Sequence, residues 1–72
     1  MKVKDLIKQL QSCDPEHLVC LPGYEGGYYT PEHVTAVEMT FNVNDKWYYG
    51  PHEMYREDEY PDYERGIAVV IA

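Results

Sequence analysis

The chain has 72 residues and a mass of 8.4 kDa, which allows one domain, residues 1–72, and leaves little room for a deep active site. Hydrophobic residues make up 44% of the chain and aromatic residues 14%, a composition that excludes intrinsic disorder. Six Lys and Arg against thirteen Asp and Glu give a net charge of −7, which disfavours direct binding of nucleic acid and favours a partner with a basic surface.

The sequence predicts a protein of the cytoplasm. No apolar run approaches the ~18 residues of a membrane span, and residues 1–6 lack the apolar centre of a signal peptide. Cys13 and Cys20 are typical of a reducing compartment, in which we expect half-buried free thiols rather than a disulfide. We therefore expect no association with a membrane.

The first predicted elements are a helix and a buried strand. Four apolar residues within residues 2–12 recur at i, i+3, i+4 and i+7, the spacing of an amphipathic helix, and Asp14-Pro15 ends it. Residues 18–21 are all apolar, which is typical of a central strand that is buried on both faces.

Residues 23–29 form a loop rich in glycine and tyrosine, whose backbone N–H groups could approach a phosphate closely. No phosphate-loop ending or dinucleotide fingerprint follows. One hypothesis is a ligand site for a small molecule such as a nucleotide signal, buried between the subunits of an oligomer. Its residues would be Tyr24, Gly26, Gly27, Tyr28, Tyr29, Trp47, Arg56 and Arg65.

Residues 34–43 alternate in polarity, which predicts a strand with one covered face and one wet face that includes Thr40. A turn at residues 44–45 and a return strand beginning at Trp47 would complete a hairpin. Residues 67–72 are apolar and predict a last strand, which we expect beside residues 18–21 in the middle of the sheet.

Residues 53–64, which we call the acidic tract, contain six acidic residues and three tyrosines. Two prolines within residues 50–65 and the lack of apolar periodicity there predict a long irregular loop, and such loops are typically functional or mobile. The predicted fold is therefore α+β. One N-terminal helix packs on one face of a small mixed or antiparallel sheet of three to four strands, and the long acidic, Tyr-rich loop precedes the last strand.

Candidate chemistry is sparse. Each of His17, His33 and His52 adjoins a glutamate, but no spacing among the histidines and cysteines matches a metal site. The acidic tract lacks the pattern of a calcium loop, and Ser12 lies in no nucleophile motif. We expect no metal, no cofactor, no catalytic residue and no enzymatic activity.

Several stretches resemble a group of small uncharacterised bacterial and phage proteins, and together they cover about two thirds of the chain. They are the helix with Asp14-Pro15-Glu16, the strand with Gly23-Tyr24-Glu25-Gly26-Gly27, and Asn42-Val43-Asn44 with Trp47-Tyr48-Tyr49-Gly50-Pro51-His52-Glu53. The resemblance implies a phage or prophage origin, in which small acidic proteins bind host or defence components, and it implies no catalytic residue.

We expect a binding protein that inhibits a host or defence protein by covering a cationic site, such as one that binds nucleic acid. Tyrosines supply rigid contact area, and carboxylates pair with Arg and Lys. The predicted partner-binding residues are Tyr48, Tyr49, Tyr55, Glu57, Asp58, Glu59, Tyr60, Asp62 and Tyr63.

Two other interpretations stay open. An acidic surface also serves solubility alone. The protein could instead be a homo-oligomeric accessory protein, because an uncovered apolar edge at residues 67–72 would favour a homodimer through sheet pairing.

Overall fold

The computed structural model describes residues 1–72 as one helix and five strands. They are α1 (Val3–Leu10), β1 (Leu21–Pro22), β2 (Tyr28–Tyr29), β3 (Val34–Thr40), β4 (Glu53–Met54) and β5 (Arg65–Ile71). β1 and β2 form a two-stranded sheet, and the second sheet has the order β4-β3-β5. The predicted α+β class is confirmed. Helix α1 lacks the length and apolar character that crossing a membrane requires.

The residues group into two compact units, residues 1–34 with 71–72, and residues 35–70. In the first unit, the Lys2 N–H donates to the Asp5 carboxylate at 2.9 Å and closes the first turn of α1, where a negative charge is favourable. No residue of α1 is buried. Cys13 and Cys20 are free thiols that are exposed rather than half-buried as predicted.

The prediction of a buried central strand at residues 18–21 is wrong. Leu18 is 80% exposed, and only Leu21 belongs to a strand. The chain turns through residues 23–27, so that β1 pairs with β2 in the register Leu21↔Tyr29. β1 and β2 therefore pair with each other as a local hairpin. Pro22 limits the pairing of β1 with a further strand, because proline has no N–H to donate.

The predicted return strand at Trp47 is also wrong. Asn42 has a left-handed backbone (φ 58°), which ends β3 before residue 43, and β3 pairs with β4 through Met39↔Met54 instead. Residues 46–49 form a turn in which the Tyr49 N–H donates to the Lys46 carbonyl at 3.1 Å. Trp47 and its neighbours therefore lie on the loop between the two strands.

β5 lies at the edge of its sheet, whereas the sequence predicted it in the middle, beside residues 18–21. β1 pairs with β2 in a separate two-stranded sheet, so β1 is not a neighbour of β5. Hydrogen bonds join His33 to Ala72 at 2.6 and 2.9 Å and the Phe41 N–H to the Glu64 carbonyl at 2.8 Å. Because these bonds flank the paired strands, β3 and β5 run antiparallel.

This register assigns the side chains of the sheet to its two faces. One face, which we call the tract face, carries Glu38, Thr40, Tyr55, Arg65, Ile67 and Val69. The opposite face carries the half-buried side chains of Val37, Met39, Phe41, Ala68 and Val70. Gly66 also lies on this opposite face, and a Cβ there would meet the Phe41 ring at 3.2 Å.

Burial contradicts the predicted wet face at Thr40. Thr40 is 2% exposed and is the only buried residue, whereas every hydrophobic side chain is half-buried or exposed. The chain exposes 6742 Å², against about 4,600 Å² expected for a folded chain of this mass. The most protected point of the molecule is thus a threonine on the tract face.

Candidate partner-binding cleft

The acidic tract is fixed to β3 at both ends. After β4, the Tyr55 N–H donates to the Glu38 carbonyl at 2.9 Å and continues the pairing with β3. The tract returns at Glu64, whose carbonyl accepts the Phe41 N–H at 2.8 Å. Both anchors are backbone hydrogen bonds near the end of β3 that holds Thr40, and tract residues such as Tyr60 and Tyr63 line one cavity with Thr40.

Two consecutive turns shape the tract between these anchors. The Glu59 N–H donates to the Arg56 carbonyl, and the Tyr63 N–H donates to the Tyr60 carbonyl, both at 3.2 Å. Tyr60 has a φ of 54°, a left-handed conformation that costs a bulky residue about 1–2 kcal/mol. The Tyr60 ring lies edge-on to the Tyr63 ring, with ring centroids 5.9 Å apart.

A cavity of about 420 Å³, which we call the tract cleft, opens between the acidic tract and the sheet. Its lining residues are Thr40, Tyr55, Glu57, Asp58, Glu59, Tyr60, Pro61, Tyr63 and Arg65. Six of these belong to the nine residues predicted to bind a partner. A smaller cavity of about 160 Å³ shares Glu59 and Tyr60 with it. The structure thus brings the central part of the predicted site together around one opening.

Arg65 shows what chemistry the tract cleft supports. Its guanidinium carbon lies 4.5 Å from the centroid of the Tyr55 ring, within cation–π distance. Its Nε lies 4.0 Å from Oε1 of Glu38, whose side chain is partly exposed, so this ion pair contributes little to stability. One guanidinium is therefore already held between an aromatic face and a carboxylate.

We expect Arg65→Lys to lower the free energy of unfolding by about 0.5–1 kcal/mol, because lysine keeps the charge but loses the planar stacking on Tyr55. The measurement is urea unfolding combined with NMR shifts of the Tyr55 ring protons. Arg56→Lys is the matched control, since Arg56 lies 4.0 Å from the Glu59 carboxylate. Equal effects of the two substitutions on stability and on the Tyr55 ring would contradict a specific role for the stacking.

Three predicted partner-binding residues lie outside the lining of the tract cleft. Tyr48 and Tyr49 sit on the loop between β3 and β4, in an exposed row with Trp47 whose neighbouring rings are 5.5 and 5.1 Å apart. Asp62 is exposed within the second turn of the acidic tract. The loop between β3 and β4 is stabilised by Asn44, whose Nδ2 donates to the Gly50 carbonyl and to Oε1 of Glu53, both at 2.8 Å.

Sequence reasoning missed Thr40 and Pro61 as lining residues and assigned Arg65 to the other ligand site. Thr40 carried no signal, because alternation alone places it on the wet face. A signal for Arg65 did exist, since it is the charged residue that begins the last apolar strand directly after the acidic tract. A strand-end cation next to acidic and aromatic residues is a natural partner for both.

The residues of the alternative ligand site are spread over several elements. Five of the eight belong to the β1–β2 hairpin, where Gly26 and Gly27 have φ values of 121° and 65° and the Gly27 carbonyl accepts the Gly23 N–H at 2.9 Å. Turn formation accounts for these glycines. Trp47 is 93% exposed. Arg56 and Arg65 line the smaller cavity and the tract cleft, respectively.

The histidines have separate surroundings. His17 and His33 are exposed and lie 3.8 and 3.9 Å from the carboxylates of Asp14 and Glu32. His52 accepts the Asn42 N–H through Nδ1 at 3.0 Å and meets the Phe41 ring edge-on. No three His, Cys, Asp or Glu side chains come together as a metal-binding group.

The tract cleft combines carboxylates, tyrosine rings and a buried floor on one side of the sheet. This combination can accept hydrogen bonds from cationic groups and stack on their planar faces. Comparison of the chain with protein-family models, with curated proteins and with solved structures found no match.

Proposed function

We propose that this protein is a small, non-enzymatic binding protein of phage or prophage type that inhibits a host or defence protein by covering a cationic site. It would act in the host cytoplasm. The observation that carries the proposal is the tract cleft, in which six residues expected to bind a partner line one cavity of about 420 Å³. Protein partners are held by such pockets when they insert Arg or aromatic anchors.

The stacking of Arg65 on Tyr55 supports a cationic partner. It is an internal example of a guanidinium placed over a tyrosine face beside a carboxylate. Tyr60 and Tyr63 offer further aromatic surface next to the carboxylates of the first turn. An arginine of a partner would find the same combination of groups there.

The net charge supports the same class of partner. With a net charge of −7, the protein attracts basic surfaces over a distance of about one Debye length, ~10 Å at 0.1 M salt. Successive carboxylates at residues 57–59 would take the place of phosphates at a site that normally binds nucleic acid. Inhibition then follows from occupation of that site.

We expect neutralisation of the cleft carboxylates, by Glu57→Gln, Asp58→Asn and Glu59→Gln together, to weaken binding of the partner at least about tenfold. Asparagine is chosen at residue 58 because φ is 64° there and asparagine tolerates that conformation. The matched control is Glu16→Gln, Glu25→Gln and Glu32→Gln, which removes the same charge from exposed positions outside the acidic tract.

The measurement has two steps. Tagged wild-type protein first captures its partner from bacterial lysate at low salt, and calorimetry then compares the three proteins against the purified partner and against a nucleic acid competitor. The proposal requires that the control binds like wild type, that the tract variant loses affinity, and that nucleic acid competes. Equal binding by the tract variant, or capture of no stoichiometric partner, would contradict it.

A further inference from the structure

The edge strand β5 lacks the features that usually protect a sheet edge. It is seven residues long and pairs on one side only, with β3. Between Gly66 and Ile71 it carries no charge and no proline. By contrast, β4 on the opposite side is two residues long and begins with Glu53. Long, flat, apolar edges are templates for pairing with another strand.

The hydrogen-bond register shows which backbone groups of this edge are unpaired. Ala72 exchanges hydrogen bonds with His33, so the even-numbered residues of β5 point their N–H and C=O groups toward β3. Ile67 and Val69 therefore point these groups outward, to the side that has no neighbouring strand. Their side chains are also open, at 69% and 44% exposure.

We propose that the occupant of this edge is a second copy of the chain, with the two β5 strands paired antiparallel about a twofold axis. An antiparallel strand pair is self-complementary, because each outward N–H meets an outward C=O of the other copy. The result is one continuous six-stranded sheet in the order β4-β3-β5-β5-β3-β4. Ile67 and Val69 of both copies then contact one another across the axis.

Charge favours a second copy over a basic partner at this edge. The segment between Gly66 and Ile71 is uncharged, so self-pairing places no like charges directly opposite each other there. The repulsion between two chains of net charge −7 acts over longer distances and is screened by salt. Dimerisation should therefore strengthen as salt rises, whereas binding of a basic partner at the tract cleft should weaken.

The first test uses the wild-type protein at several concentrations. Sedimentation should show a mass that rises from 8.4 kDa toward twice that value, with a micromolar dissociation constant because a strand pair buries a small interface. NMR-detected amide exchange should slow at least about tenfold at Ile67 and Val69 on concentration. The amides of Ala68 and Val70 should exchange slowly throughout, since they are bonded to β3. A constant monomer mass would overturn the proposal.

The second test assigns the interface. Ile67→Lys with Val69→Lys should abolish the dimer, and the control Leu18→Lys with Val19→Lys should keep it, because both pairs add the same charge at exposed apolar positions. Circular dichroism checks that each variant folds. If a variant does not fold, the amide-exchange data on the wild-type protein decide whether β5 forms the dimer interface. A dimer that survives the β5 variant, or one lost equally in the control, would overturn the assignment.

Discussion

Gly23→Ala is expected to open the β1–β2 hairpin and to cost at least about 2 kcal/mol in its local stability. A Cβ at residue 23 would lie 2.5 Å from the carbonyl oxygen of Gly26, far inside van der Waals contact. The clashing atom belongs to the backbone, so no side-chain rotation can relieve it. The same residue closes the turn, because its N–H donates to the Gly27 carbonyl at 2.9 Å.

The measurement is the set of NMR cross-strand contacts between Leu21 and Tyr29, together with amide exchange at Gly23. In the variant, the cross-strand contacts should be lost or strongly weakened, and the amide of residue 23 should exchange faster. Gly50→Ala is the control, because a Cβ there meets nothing within 4 Å, and it should change the free energy of unfolding by less than about 1 kcal/mol. If Gly23→Ala kept the cross-strand contacts of wild type, the described turn would be incorrect.

Asn44→Asp should lower the free energy of unfolding by about 1 kcal/mol, although the two side chains have nearly the same shape. Nδ2 of Asn44 donates to the Gly50 carbonyl and to Oε1 of Glu53, both at 2.8 Å. A carboxylate at this position has no proton to donate, so the Gly50 carbonyl and the Glu53 carboxylate both lose their donor, and the new negative charge faces that of Glu53. The free energy follows from urea unfolding.

The double substitution Asn44→Asp with Glu53→Gln is the internal control for this prediction. A glutamine at residue 53 can donate to an aspartate at residue 44, so part of the lost stability should return. No rescue would indicate that the 2.8 Å contact between Asn44 and Glu53 contributes nothing. The single substitution Asn44→Asp also frees the loop that bears Tyr48 and Tyr49. The affinity of this variant for the partner should fall if those tyrosines bind the partner.

The local elements of this protein could be predicted because short-range patterns determine them. The i, i+3, i+4, i+7 spacing predicted α1 to within two residues at each end. The composition of the acidic tract predicted an irregular loop. Nine residues were chosen from this tract and from the loop between β3 and β4, and six of them line the tract cleft. Proximity in sequence made this possible, since residues 55–63 are held together by two short turns.

Strand pairing could not be predicted in the same way. Residues 18–21 and 67–72 share an apolar composition, which is typical of buried central strands. In the structure, Leu18 is 80% exposed, β1 pairs with its neighbour in sequence across the glycine turn, and β5 is an edge strand of the other sheet. An apolar run shows that a strand can be buried on both faces. It does not show which strand, or which copy of the chain, pairs along its edges.

By itself, the sequence determined the α+β class, the helix, the charge of the surface and the residue types of the acidic tract. Only the tertiary structure decided that Thr40 is the buried residue, that Arg65 stacks on Tyr55, and that β5 has an open edge. The physical reason is range. Helices and turns depend on residues a few positions apart, whereas burial and register depend on contacts between residues far apart in the sequence.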